Sequence, residues 1–122
     1  MITIIDETVI LRYVLKDSPR QSQEAAEVIE TGDAYTYPEI LARVAVTLHD
    51  VYDVPRTIIA RTLLLVLDDV HVQERDVVKL ACRMYGNTRL DFTDCMMSAR
   101  NTLHGYGYVS FAPRIRRGTL PP

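Results

Sequence analysis

Apolar positions follow two rhythms along this 122-residue chain. Ile2-Thr3-Ile4-Ile5 is a short, β-branched and nearly continuous apolar run, the pattern of a strand covered on both faces, so it is expected to lie centrally in a sheet. Val9-Ile10-Leu11 with Tyr13-Val14-Leu15 predicts a short helix, and Asp17-Ser18-Pro19 ends it and begins the next. Ser18, with Pro19 at the first helical position and Gln21 two further on, reads as a capping box. The helix it opens runs to about residue 31, with Ala25, Ala26, Val28 and Ile29 as its apolar stripe and Gly32 as its stop. Residues 34–37 predict a second strand, and Pro38 starts a helix reaching about residue 51. Asp53-Val54-Pro55 restarts another, carrying Ile58, Ile59, Leu63, Leu64 and Leu67 and closed by Asp68-Asp69. A short third strand at 70–72, a helix at 74–85, a turn at Gly86-Asn87, a helix from near Asp91 to Gly105 and a final strand at 108–111 complete the prediction.

Strands alternating with helices imply a three-layer α/β/α domain with a central, mainly parallel sheet of four to five strands, and ligands in such folds bind outside the carboxyl ends of the strands. With 48% apolar residues and no low-complexity tract, repeat or linker, one domain over residues 1–117 is expected, with 118–122 as a disordered tail. No apolar run approaches the ~20 residues that span a bilayer. Asp6 and Glu7 interrupt the first apolar run before a signal sequence could form, so no membrane association and a cytoplasmic location are expected.

Cys82 and Cys95 lack metal-ligand or disulfide-scaffold spacing and read as reduced core thiols. His49, His71 and His104 stand singly, which argues against histidine-based metal binding or catalysis. Met96-Met97 and the leucines of 63–67 read as core or partner surface, and Tyr35, Tyr37, Tyr106 and Tyr108 as half-buried residues near strands. A formal net charge of −2 excludes a protein that simply coats nucleic acid. Among 14 basic residues, however, only Lys16 and Lys79 are lysines, and Arg114, Arg116 and Arg117 cluster late in the chain. Arginine forks two hydrogen bonds onto a phosphate, so Arg12, Arg114 and Arg116 are candidate RNA contacts; a solvated basic tail is the plainer alternative.

The candidate chemistry is acidic. Asp6 follows a buried strand directly, where a carboxylate costs free energy unless a donor or cation meets it. Glu39 falls in the first turn of a helix, and Asp91 and Asp94 frame the start of the last one. Alone, Glu39, Asp91 and Asp94 fit helix capping and the helix dipole. Taken together, carboxylates from three segments suit Mg²⁺ or Mn²⁺, hard cations that prefer oxygen ligands and support phosphodiester hydrolysis by an activated water.

These segments resemble the PIN domain, a family of small metal-dependent nucleases that includes the VapC toxins of bacterial toxin–antitoxin pairs. Ile4-Ile5-Asp6-Glu7-Thr8-Val9-Ile10-Leu11-Arg12-Tyr13 is similar to the family's opening strand, acid and apolar helix start. Pro38-Glu39-Ile40 stands where its second acid heads a helix, Leu90-Asp91-Phe92-Thr93-Asp94-Cys95-Met96-Met97 resembles the stretch with the third, and Val109-Ser110-Phe111 is similar to its last core strand. The resemblance implies a Mg²⁺-dependent endoribonuclease toxin with Asp6, Glu39 and Asp94 as catalytic and metal-binding acids. Asp91 would be an auxiliary ligand and Thr8 a brace for Asp6. It also implies a homodimer and a VapB-like antitoxin. Two positions depart from the pattern: Thr8 replaces the usual Asn, and Ala112 stands where a fourth Asp is typical. Asp91 is the better substitute for that acid, since Glu7 would point away from Asp6 if the strand continued through it. The departures define an alternative, a noncatalytic PIN-type protein that binds a partner or RNA. A phosphoacceptor receiver domain is disfavoured, because no lysine precedes Pro113 and Asp68-Asp69 close a helix.

Overall fold

A computed structural model describes residues 1–112. Nine elements follow one another: β1 (Thr3–Ile4), α1 (Glu7–Leu15), α2 (Pro19–Glu30), β2 (Ala34–Thr36), α3 (Pro38–Asp50), α4 (Arg56–Asp69), β3 (His71–Val72), α5 (Arg75–Asn87) and α6 (Phe92–His104). The strands form a parallel sheet in the order β1-β2-β3, with Ile4 opposite Tyr35 and Tyr35 opposite His71.

Local chemistry explains the boundaries. Gly32 takes φ +83° one residue past the C-cap of α2, and Gly105, at φ +68°, ends α6; both are left-handed positions that glycine fills without a Cβ penalty. Pro19 and Pro38 occupy first-turn positions where a missing N–H costs nothing. Ser18 is the N-cap of α2, yet its side chain makes no capping bond, so the expected capping box does not form. The turn expected at Gly86-Asn87 is instead the last turn of α5.

The expected three-layer α/β/α architecture with four to five strands is not what forms. Among the described residues the protein is mostly helical, six helices around a three-stranded sheet of very short strands. The predicted strand at 108–111 is irregular, with Val109 and Phe111 largely exposed. Nor is β1 central: it is an edge strand, its outward residue Ile4 63% exposed. Alternation along the strands shows why. Ile5, Ala34 and Thr36 are buried on one face, whereas Ile4, Tyr35 and His71 share the other, where Tyr35 stacks on His71 with ring centroids 4.5 Å apart. Of the apolar run at 2–5 only Ile5 is buried, so β1 is covered on one face and only at its carboxyl end. The main core lies among the helices, centred on Ile10, Leu41, Ile59, Leu63, Val78 and Phe92, each fully or almost fully buried.

Candidate functional site

Parallel strands direct all three carboxyl ends to one edge of the sheet. Asp6 follows β1, Glu39 lies in the first turn after β2, and Gln73-Glu74 follow β3. α6 packs against α3 and α5, and its first turn carries Asp94, with Asp91 in the N-cap position.

At Asp6 the chain leaves the strand and caps a helix. Its Oδ1 accepts from the Thr8 amide at 2.9 Å, the Val9 amide at 3.3 Å and the Thr8 hydroxyl at 2.5 Å. The Thr8 hydroxyl is the main reason that the Asp6 carboxyl titrates below its ordinary value, with the two backbone amides adding to the effect. The hydroxyl thus holds Asp6 in place even though Thr8 is not an amide side chain. Because the helix begins at Glu7, that residue is not on a continuing strand, and the premise that turned it away from Asp6 does not hold. Its Oε1 lies 3.6 Å from Arg43 on α3, while its Oε2 is buried with no hydrogen-bond partner.

Glu39 is exposed and lines a hollow of about 370 Å³ with Pro38, Gln73, Glu74, Met97 and Arg100. Glu74 and Arg100 form a two-pronged ion pair, both contacts 2.8 Å, which draws the Glu74 carboxyl below its usual value. Glu74 is not among the predicted site acids, although Val72-Gln73-Glu74 repeats, one residue looser, the strand-then-acid signal of Ile5-Asp6. Asp94 is buried at 7% exposure and Asp91 is exposed, so the two differ in setting despite their i, i+3 spacing.

Arg12 is committed to its own neighbours, pairing with Asp17 at 3.1 Å and donating to the Tyr52 hydroxyl at 3.4 Å. Arg114 and Arg116, the other proposed RNA contacts, lie outside the described residues. Arg56, which drew no attention in the sequence, donates to the carbonyls of Tyr85 and Leu90 and stacks over the Tyr85 ring at 3.7 Å. It thereby ties the segment entering α6 to α4 and fixes where Asp91 and Asp94 begin. No periodic pattern marks such a brace.

The candidate ligands are all carboxylates, the donor type a hard divalent cation takes. Their chemistry fits Mg²⁺ or Mn²⁺. Among the described residues, however, no three His, Cys, Asp or Glu side chains gather as a group that could hold a metal ion. No helix among them is long and apolar enough to cross a membrane. Comparison of the chain with protein-family models, with curated proteins and with solved structures found no match.

Proposed function

We propose that the protein is a divalent-metal-dependent endoribonuclease of the toxin type, with Asp6, Glu39 and Asp94 as metal ligands and Asp91 as an auxiliary. The observation that supports this most is the common strand edge: Asp6 and Glu39 follow adjacent parallel strands, and Asp94 opens a helix packed on the one that Glu39 begins. Bound Mg²⁺ or Mn²⁺ would supply Lewis-acid activation of water and charge neutralisation at the phosphate. In this reading Thr8 keeps Asp6 ionised and oriented through its 2.5 Å hydrogen bond. Arg12, Arg114 and Arg116 would meet RNA phosphates, Arg12 only after exchanging its Asp17 partner. A VapB-like antitoxin and a homodimer belong to the same proposal and rest on the resemblance of residues 4–13, 38–40 and 90–97 to PIN domains.

A second reading is favoured by a specific observation. The described acids do not gather as a set of three, and Ala112 supplies no carboxylate, so binding of RNA or a partner without cleavage is the alternative. Cleavage of labelled RNA by purified protein, with Mn²⁺ or Mg²⁺ against EDTA and with Asp6→Asn alongside, separates the two. Metal-dependent cleavage that the variant loses supports the nuclease. Unchanged cleavage by Asp6→Asn rejects the ligand assignment, and no cleavage by well-folded protein favours the noncatalytic reading.

A further inference from the structure

Most of the described arginines are engaged. Arg12, Arg20, Arg43, Arg75 and Arg100 are ion-paired, and Arg56 is held by backbone carbonyls and a ring. Among the described residues Lys16, Arg61, Lys79, Arg83 and Arg89 have no ion-pair partner, and three of these five, Arg61, Lys79 and Arg83, line one hollow of about 360 Å³ between α4 and α5. Helical spacing assembles it. Arg61, Leu64, Leu65 and Asp68 stand at i, i+3, i+4 and i+7 on α4, while Lys79 and Arg83 stand one turn apart on α5. The one acid of this lining, Asp68, lies 3.8 Å from Arg75 and so is already shared with another cation. In the same lining Leu65 is 66% exposed, an apolar side chain this surface leaves in water.

Three unpaired cations around one exposed leucine, Leu65, with the half-buried Leu64 beside it, on a chain of net charge −2, define a surface by charge and by apolarity together. We propose that the α4–α5 hollow is a docking site for an acidic amphipathic helix of a partner protein. Its apolar residues would cover Leu64 and Leu65, and its carboxylates would meet Arg61, Lys79 and Arg83. Charge complementarity selects an acidic partner. The exposed leucine selects a polypeptide over a nucleic acid backbone, since phosphates gain nothing from covering Leu65, whereas a helix laid in a groove does so through i, i+3, i+4 anchors. The site stands apart from the acids of the strand edge, so it does not depend on the nuclease reading.

The probe is a fluorescein-labelled synthetic helix with leucines at i and i+4 and glutamates flanking them, compared with the same helix carrying lysines and with a labelled single-stranded RNA. Binding is read by fluorescence anisotropy on the full chain. The glutamate helix is expected to bind, to weaken with added salt, and to lose at least about tenfold in affinity in Lys79→Glu/Arg83→Glu. Leu65→Ser should weaken it severalfold. Both changes are at exposed or half-exposed positions, and circular dichroism and the thermal midpoint confirm folding. The proposal is overturned if the glutamate helix fails to bind, if its binding survives the charge reversals, or if the lysine helix binds equally well. It is also overturned if RNA binds more tightly through the same cations with no effect of Leu65→Ser, which would make the hollow a phosphate-binding surface.

Discussion

Asp6 does two kinds of work, and substitutions can separate them. As the N-cap of α1 it satisfies the Thr8 and Val9 amides, so Asp6→Ala should destabilise the protein by about 1 kcal/mol in urea denaturation. Asparagine caps a helix about as well as aspartate, so Asp6→Asn should be near neutral at pH 7, which makes it the right variant for any test of chemistry. The two differ in acid. The folded-state carboxyl titrates below its ordinary value of 3.8, so its stabilisation is present above that pH and is lost as pH falls through the lowered value. Asp6→Asn should therefore flatten the acid limb of the stability curve; an unchanged limb would mean that the Thr8 hydrogen bond does not form in solution. Cys82 gives a second residue-scale prediction. It is fully buried, and burial pushes its thiol up to about 12, so a thiol reagent at pH 8 should leave it unmodified in the native protein and label it after unfolding. Rapid native labelling would show that α5 opens readily. Both cysteines were legible as core residues from the sequence, because nothing beside them has ligand spacing.

Between α4 and α5, one close approach depends on a residue without a side chain. A Cβ at Gly86 would lie 2.8 Å from the Cβ of Ala60, inside any real contact distance, so the glycine lets α5 seat directly on α4. Helix propensity alone would make Gly86→Ala stabilising by about 1 kcal/mol. The packing reverses the sign: overpacking should leave the variant about 1–3 kcal/mol less stable, and Ala60→Gly in the same chain should recover part of that loss. A Gly86→Ala protein as stable as the parent would show that the helices separate at little cost. This glycine also explains why the turn expected at Gly86-Asn87 does not form. Gly86-Asn87 carries the composition of a turn, and only the approach of α4 shows that the helix runs through it. Helix starts at Pro19 and Pro38 and stops at Gly32 and Gly105 were legible because their signals are local, a fixed φ or a tolerated positive one. The role of Arg56 was not, since its partners Tyr85 and Leu90 are distant in sequence and are backbone carbonyls, which any residue supplies.

For the molecule as a whole, the order of helices and the first three strands was readable, and the number of strands and layers was not. Ile2 to Ile5 has the composition of a doubly covered strand, but coverage depends on which elements lie beside it, and Ile4 faces solvent on an edge. Similarly, the sequence brings an acid to the starts of α1, α3 and α6 without fixing how close the acids come. Asp6, Glu39 and Asp94 depend on the relative placement of three helices, a property of packing that spacing along the chain does not encode. Linkage between binding and folding measures that convergence directly, independent of any RNA. If the three carboxylates close on one cation, the folded state binds it and the unfolded chain does not, so Mn²⁺ at a hundred times its dissociation constant should stabilise the protein by about 2.7 kcal/mol. For a domain of this size that is a rise in melting temperature on the order of 10 °C. Asp6→Asn, Glu39→Gln and Asp94→Asn should each abolish most of it, whereas Glu74→Gln, whose acid is already taken by Arg100, should keep the metal-induced rise. A melting temperature indifferent to Mn²⁺ and Mg²⁺ would mean that the acids serve their helices alone, and the protein would then be read as a binding domain.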